Sequence, residues 1–160
     1  MRTSILLLLI SFAGIRCTTS SPTETSTSNL ESERTAILHT LNAETAAAFN
    51  RDYEAWQQHW VQTPDVTKSY LNFVDSTMTE TVGWPAVSAF VRTYIEEHPE
   101  PAPLPEPLTD IEVRVYGTGA WVSYEMNDPN QGWKREYRLM EKADGVWRIA
   151  GMQTVIRPQK

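Results

Sequence analysis

The sequence contains a single cysteine, Cys17, among its 160 residues. One thiol can form neither an intramolecular disulfide nor a cysteine-based zinc site. Histidine is also scarce, and His39, His59 and His98 lack the spacing of known metal-binding motifs. We therefore expect a fold held together by its hydrophobic core, with no metal and no other cofactor.

Runs of lysine and arginine are missing as well. The chain has 14 Lys and Arg against 20 Asp and Glu, which gives a formal net charge of -6. Proteins that bind nucleic acid or anionic lipid present clustered positive charge. We therefore expect no nucleic-acid partner. The seven glycines stand singly or in turns and form no phosphate-binding loop.

The first 17 residues have the features of an export signal. Arg2 is followed by an apolar run at residues 5–10, which is too short to span a bilayer permanently. Because this run precedes a lone cysteine, the segment resembles a bacterial lipoprotein signal, in which Cys17 would be lipidated. Arg16 departs from that pattern, which has a small residue before the cysteine. The alternative is an ordinary secretory signal followed by a disordered N-terminus.

Residues 18–29 are rich in Ser and Thr, a composition typical of a flexible tether. A tether after a lone cysteine suits a protein anchored by lipid. We expect an exported bacterial protein, either periplasmic or attached to the membrane through Cys17 alone, with one folded domain at residues 30–157.

The folded domain begins with a helical pattern of leucine, isoleucine and alanine over residues 30–50. A second helical segment follows an N-cap at Asp52. In this segment Tyr53, Trp56 and Trp60 share one face, which can be core or the wall of a ligand pocket. We expect Trp56 to be mainly core and Tyr53 to contact a ligand, because its hydroxyl needs a partner.

The remainder of the domain changes from helix to strand. Residues 66–74 are rich in β-branched and aromatic side chains and predict a strand, and Gly83-Trp84-Pro85 opens another helix. The connector at residues 99–107 has five prolines in nine residues and can be neither a helix nor a central strand. Four strand segments separated by turn signals follow in residues 111–156. Helices followed by antiparallel strands indicate an α+β fold.

This order of elements resembles the nuclear transport factor 2-like superfamily, in particular its SnoaL-like branch. The likeness covers roughly residues 30–156, and its motifs are Asp52-Tyr53 with Trp56 and Trp60, Gly83-Trp84, Ala120-Trp121-Val122, and Glu141-Lys142 through Asp144-Gly145 to Trp147-Arg148-Ile149. The resemblance implies a cone, in which a curved antiparallel sheet wraps around the helices and leaves a cavity between them. It also implies a homodimer formed through the outer face of the sheet.

The strand near residues 132–142 carries two alternating sets of side chains. The more apolar set, which we expect to face the helices, is Trp133, Arg135, Tyr137 and Leu139. A bulge would exchange the two faces and turn Glu136 and Arg138 inward. There they would form a buried polar pair able to orient an anionic or hydroxylated ligand.

The resulting candidates for a ligand pocket are aromatic and charged residues of the second helix and the strands: Tyr53, Trp56, Trp60, Tyr70, Tyr124, Arg135, Glu136, Tyr137 and Arg138. The main hypothesis is an exported protein that binds a small, partly apolar molecule in an aromatic-lined cavity. The superfamily that the chain resembles includes ketosteroid isomerases, polyketide cyclases and epoxide hydrolases, together with many members without demonstrated activity. The alternatives are therefore an isomerase- or cyclase-type enzyme, with a tyrosine donor and a cavity carboxylate, and a purely structural dimer module.

Overall fold

The computed structural model describes residues 23–128 and 132–158, and the predicted signal segment with Cys17 lies outside them. The helices and strands in these ranges are α1 Thr23–Phe49, α2 Tyr53–Gln57, β1 Thr67–Asn72, β2 Thr77–Val82, α3 Trp84–Glu97, β3 Glu112–Tyr116, β4 Gly119–Asp128, β5 Gly132–Ala143 and β6 Val146–Arg157. This is the expected α+β order. Because α1 begins at Thr23, the later part of the segment predicted as a tether is helical.

A sharp break separates α1 from α2. Arg51 has a φ of 62°, a left-handed conformation that a right-handed helix cannot include, and its Nη1 donates to the carbonyl oxygen of Ala48 at 3.0 Å. Asp52 then caps α2, since its side chain accepts a hydrogen bond from the amide of Ala55 at 2.9 Å. The predicted cap is confirmed, and it orients α2 so that Trp56 is buried.

The start of α3 is fixed by Gly83. Its φ is 83°, and a Cβ at this position would lie 3.3 Å from the carbonyl oxygen of Pro64, so a larger residue would be both strained and crowded. The Gly83 amide donates to the carbonyl oxygen of Val66 at 2.8 Å. Pro85 follows in the first turn, where its missing N–H costs nothing.

The six strands form one curved open sheet in the order β2-β1-β6-β5-β4-β3. Neighbouring strands are antiparallel except for β1 and β6, which are parallel. The parallel pair is the one departure from the expected antiparallel arrangement among the described strands. It arises because the chain crosses to β3 at the opposite edge of the sheet and returns through β4 and β5 to place β6 beside β1. Strand β2 was not predicted, since its side chains are mostly exposed and show no apolar face.

The expectation that the apolar set of β5 faces the helices is wrong. Glu136 and Arg138 are each 5% exposed, whereas Trp133 and Leu139 are 45% and 46% exposed. The bulge that was considered lies in β6, where Leu139 pairs with Gly151 and Met140 with Ile149, so Ala150 is the extra residue. The inward charges of β5 are tolerated because neighbouring strands supply polar partners for them.

The core lies between α1, α2, α3 and the inner face of the sheet. Trp56 and Trp60 are each 1% exposed, their ring centroids are 5.3 Å apart, and Trp56 stacks on Trp84 at 5.8 Å. The remaining large side chains that are fully buried include Ile37, Leu41, Val87, Val122, Met140, Trp147 and Ile149. One end of this core is apolar, and the other end opens into a cavity.

Candidate functional site

A cavity of about 290 Å³ lies between α1, the proline-rich connector and the inner face of the sheet. The helix contributes Asn42, Glu44 and Phe49 among others, and the connector contributes residues 104–108. The sheet side is formed by Lys68, Tyr70, Tyr124, Met126, Lys134, Glu136, Arg138, Met152 and Thr154. This volume is near the lower end of the range of about 300–1,000 Å³ for small-molecule sites.

The strand register sorts most of the sheet side into two rows that cross the strands. The first row runs over β1, β6 and β5, and its members are Lys68, Met152 and Arg138. The second row runs over the same strands and β4, and its members are Tyr70, Thr154, Glu136 and Tyr124. The bulge at Ala150 makes this alignment possible, because it changes which β6 side chains point inward after Ile149.

Four side chains of these rows form a buried polar network. Arg138 Nη2 lies 3.3 Å from Glu136 Oε2 and donates to the Tyr124 hydroxyl oxygen at 3.2 Å. The Thr154 hydroxyl lies 3.0 Å from each oxygen of Glu136. The Arg138 atoms Nε and Nη1, which carry most of the N–H donors of a guanidinium, are buried without a hydrogen-bond partner among the described residues.

Burial governs the ionisation of this network. It raises the pKa of the Tyr124 hydroxyl to about 12, against a smaller opposite influence of Arg138, so the hydroxyl keeps its proton at neutral pH. Burial would lower the pKa of Arg138, but the oxygens of Tyr124, Glu136 and Glu44 outweigh it and hold the pKa above its usual range. At neutral pH the cavity therefore presents a charged guanidinium beside a neutral phenol.

Glu44 is a second buried carboxylate on the cavity wall, and the sequence reasoning missed it. It is 5% exposed, and its Oε1 accepts hydrogen bonds from the indole N–H groups of Trp56 at 2.7 Å and Trp60 at 3.1 Å. A signal was available, because Glu44 follows Ile37 and Leu41 at helical spacing on the apolar stripe of α1. A carboxylate within such a stripe indicates a buried partner.

Lys68 is a buried cation that the sequence reasoning also missed. It is 7% exposed, and its Nζ lies 2.9 Å from the sulfur of Met152. The ammonium also lies over the rings of Trp60 and Tyr70, at 5.2 Å and 5.4 Å from their centroids. Within the part of the chain that the structure describes, no carboxylate forms an ion pair with it. The β-strand pattern around it concealed its burial, since lysine in a strand is usually solvated.

The structure brings some of the predicted site residues together and separates others. Tyr70, Tyr124, Glu136 and Arg138 line the cavity, while Trp56 and Trp60 stand behind it and contact it through Glu44. Tyr53 does not line it; its hydroxyl is 2.6 Å from Ser88 Oγ, and the Arg92 guanidinium covers its ring at 3.9 Å. Tyr53 therefore packs against α3 and lies outside the lining of this cavity.

Arg135 and Tyr137 lie on the opposite face of the sheet from the cavity. Arg135 pairs with Glu125 at 3.2 Å and with Glu112 at 3.8 Å, and the ring of Tyr137 is 5.4 Å from that of Trp121. These residues do not line the cavity. Their inclusion as pocket candidates followed from the expectation about β5 that the structure corrects.

The proline-rich connector is held over the cavity at two points. The Asn42 side chain donates to the carbonyl oxygen of Leu108 at 3.0 Å and accepts from its amide at 2.8 Å. The amide of Ala102 donates to the carbonyl oxygen of Phe49 at 2.9 Å. The residues between these points form one wall of the cavity, a role that the composition of the connector did not reveal.

Two further findings concern only residues 23–128 and 132–158. Within these ranges no three histidine, cysteine or acidic side chains are grouped so that they could hold a metal ion. None of the helices there has the length and apolar character needed to cross a bilayer.

Solved structures with the same fold come from several bacteria. An NTF2-like protein of unknown function from Shewanella oneidensis has a TM-score of 0.57 and 19% identity, over 77% of this chain and 98% of that one. A cystatin-like fold protein from Burkholderia xenovorans has a TM-score of 0.61 and 18% identity, over 79% and 92%. An NTF2-like protein from Novosphingobium aromaticivorans has a TM-score of 0.57 and 14% identity, over 92% and 94%. At these identities the likeness concerns the fold alone.

Among curated protein sequences, none matches this chain significantly. A family model described as a SnoaL-like domain matches residues 37–154, which is well over half of the chain. The matched range includes α2, α3, β1 to β5, most of β6 and the whole cavity lining. The chain therefore belongs to the SnoaL-like domain family, and its fold is the NTF2-like, cystatin-like one.

Proposed function

We propose that this protein binds a small, partly apolar molecule in the cavity between α1, the connector and the sheet. The observation that carries the proposal is an interior of about 290 Å³ whose wall combines apolar side chains with four buried charged ones. A purely structural domain would gain stability by filling such a space with apolar side chains. Glu44, Lys68, Glu136 and Arg138 instead keep polar atoms at the cavity wall.

A cavity-filling substitution tests this proposal. Ala46 lines the cavity, so Ala46→Phe should occupy part of it, whereas Ala43→Phe on the same helix changes a residue outside the lining. We expect compounds from a panel of lipids, steroids, sugars and small organic acids to raise the Tm of the wild type and of Ala43→Phe. The rise should be lost in Ala46→Phe. A panel without any effect on the wild type would contradict the proposal.

An isomerase- or cyclase-type enzyme is the second candidate, and the Tyr124 hydroxyl favours it. This hydroxyl accepts from Arg138, keeps its proton because burial raises its pKa to about 12, and shares the cavity with the Glu136 carboxylate. A donor of this kind can stabilise a developing oxyanion. Against it, Glu136 is engaged by Thr154 and Arg138 rather than by a tyrosine.

Solvent deuterium exchange tests the enzyme hypothesis. A carboxylate base would catalyse exchange of protons next to the carbonyl of a cavity-bound ketone, and Glu136→Gln would abolish that catalysis while the ketone still binds. Exchange that is equally fast with Glu136→Gln, or absent with every bound ketone, would exclude this role.

We further propose that the protein is exported and held at the membrane by lipidation of Cys17. The support is the apolar run before a lone cysteine, which precedes a Ser/Thr-rich segment. In bacterial cells, the wild type should fractionate with membranes and carry the mass of a lipid. Cys17→Ser should be soluble and unmodified. If Cys17→Ser stays in the membrane fraction with unchanged mass, the anchor is wrong.

The outer face of the sheet is proposed as the surface of a homodimer. Its support is exposed apolar area on neighbouring strands, since Trp121, Trp133 and Leu139 are 43%, 45% and 46% exposed. Trp121 and Leu139 are directly paired in the sheet, so one substitution there reaches the centre of the patch. Sedimentation of the wild type should give a dimer and that of Leu139→Lys a monomer; an unchanged sedimentation coefficient would contradict this interface.

A further inference from the structure

We propose that the ligand of the cavity is a small monocarboxylic acid with an apolar body, and that its carboxylate binds between Lys68 and Arg138. This inference rests on the proposed binding function and names the class of molecule bound. It assigns a role to two buried cations that are incompletely paired within the described residues.

The first observation is the guanidinium of Arg138. The side chain is 5% exposed and lines the cavity, and its Nη2 pairs with Glu136 and the Tyr124 hydroxyl. Nε and Nη1 are buried and have no hydrogen-bond partner in the described part of the chain. Leaving charged donors buried and unpaired is costly, so a ligand that accepts from them gains that free energy.

The second observation is the ammonium of Lys68, which is independent of the first. Lysine is almost never buried unless it is paired, yet this one is 7% exposed. Among the described residues, the partners of its ammonium are the Met152 sulfur and the rings of Trp60 and Tyr70. Sulfur and aromatic rings compensate a buried charge only in part. An anion in the cavity would supply the missing counter-charge.

The strand register brings these cations to one place. Lys68, Met152 and Arg138 occupy one row across β1, β6 and β5, with Met152 in the middle. Neighbouring strands are about 4.8 Å apart, so the two Cα atoms are separated by about 10 Å, a distance that two long side chains and one carboxylate can bridge. The carboxylate would lie over the Met152 sulfur.

A third donor is available beside this row. The Tyr124 oxygen accepts from Arg138, and none of the described residues accepts the proton of its own hydroxyl. A carboxylate accepts up to about four hydrogen bonds, so it can engage Lys68, Arg138 and Tyr124 together, whereas a carboxamide or an alcohol cannot match three donors. The donor set therefore selects an anionic acceptor over a neutral one.

The rest of the wall limits the body of the ligand. Phe49, Leu108, Met126 and Tyr70 present apolar surface to the cavity, and its volume of about 290 Å³ admits a compact aromatic or a short aliphatic chain. Glu44 and Glu136 are also on the wall and disfavour a second negative charge. A monocarboxylate meets all of these conditions, and a dicarboxylate or a phosphate does not.

Calorimetric titration with matched probes tests the inference. Phenylacetate and octanoate should bind the wild type, and phenylacetamide and octanol should bind about 10–100-fold more weakly, the factor expected for charge-assisted hydrogen bonds in a buried site. Lys68→Met, which keeps the approximate shape of the side chain and removes its charge, should weaken the binding of phenylacetate by a similar factor. Arg114→Met removes one positive charge from an exposed position on β3 and should leave the affinity unchanged.

Testing the role of Arg138 needs a paired substitution, because removing Arg138 alone would leave the buried Glu136 carboxylate without its cationic partner. The double variant Glu136→Gln with Arg138→Gln removes both charges and leaves a polar side chain at each position, and it should bind the amide at least as well as the acid. Should this variant fail to fold, Lys68→Met decides the matter alone. Equal affinity of the wild type for acids and neutral analogues, or no effect of Lys68→Met, overturns the carboxylate inference.

A failure of the carboxylate inference can be distinguished from a failure of the proposed binding function. If neutral compounds bind and are excluded by Ala46→Phe, the cavity is a binding site of another specificity, and only the inference about the carboxylate is wrong. If no probe and no member of the wider panel binds the wild type, the proposed function is wrong as well.

Discussion

The two faces of β5 show opposite distributions of polar and apolar side chains. The inner face buries Glu136 and Arg138, and the outer face exposes Trp133 and Leu139. On the inner face the Glu136 carboxylate has partners in Thr154 of β6 and Arg138 of β5, so its burial is tolerated. On the outer face the tryptophan and the leucine have solvent beside them in the single chain. The difference teaches that, in β5, the more polar set of side chains is the buried one, so hydrophobicity alone does not identify the face that packs against the helices.

The largest difference in stability is expected when one tryptophan is removed from each side of the sheet. Trp56→Ala should destabilise the protein by about 3–5 kcal/mol, because it leaves a cavity in the core and takes a hydrogen bond from Glu44. Trp121→Ala, at a 43% exposed outer position, should cost less than about 1 kcal/mol in the monomer. Urea unfolding of both variants measures the difference, and similar losses would show that the two faces do not differ as described.

A smaller effect is expected when one ion pair on each face is neutralised. Glu136→Gln should cost about 1–3 kcal/mol, since it leaves the buried guanidinium of Arg138 without a negative partner. Glu125→Gln breaks the outer pair with Arg135, in which Glu125 is 48% exposed, and should cost only about 0–1 kcal/mol. Urea unfolding at low ionic strength measures the loss of unfolding free energy in both variants. Added salt should reduce only the outer contribution; a salt-sensitive inner pair would be unexpected.

The smallest effect concerns pH and the rim of the inner face. Hydrogen bonds from Lys142 at 2.7 Å and from the Trp147 indole at 2.7 Å lower the pKa of Glu33 below its ordinary value of 4.5. A carboxylate whose folded pKa is depressed stabilises the fold above its unfolded pKa, and this contribution disappears as the pH falls through the folded pKa. The wild type should therefore exceed Glu33→Gln in stability at neutral pH.

That stability difference should shrink as the pH is lowered from about 5 to about 3. Unfolding curves of both proteins across this range provide the measurement. Glu141→Gln, on the exposed side of β5, serves as the matched control and should change stability by less than about 0.5 kcal/mol at any of these pH values. A difference between the wild type and Glu33→Gln that does not shrink at all on acidification would assign the effect to packing instead of charge.

The fold was largely predictable because its signals are local. The cap at Asp52, the helix start at Gly83 and the turns between the last four strands are each written in a few neighbouring residues. Strand β2 and the parallel pairing of β1 with β6 were not predictable in the same way. The first lacks an apolar face, and the second depends on where the chain returns over a long distance.

The candidate site was predictable only in part, because it depends on which way β5 faces. Alternation identified the two sets of side chains, but hydrophobicity assigned them to the wrong sides. Glu136 and Arg138 were recognised as a pair, whereas Lys68 and Glu44 were missed. The burial of Lys68 follows from its contact with Met152, which is distant in sequence and has no local pattern. The helical spacing that marks Glu44 as buried does not name Trp56 and Trp60 as its partners.

The way the connector is held over the cavity affects how fast a ligand of the proposed site would exchange. Prolines have no N–H, so the segment between Ala102 and Leu108 makes few backbone hydrogen bonds and is joined to α1 mainly by the side chain of Asn42. Releasing it would break that clamp and leave the hydrogen bonds of the sheet intact. The residence time of a ligand at the proposed site would then be set by a local opening, whose free energy is far smaller than that of global unfolding. A rigid core would thus be compatible with fast exchange of the proposed ligand.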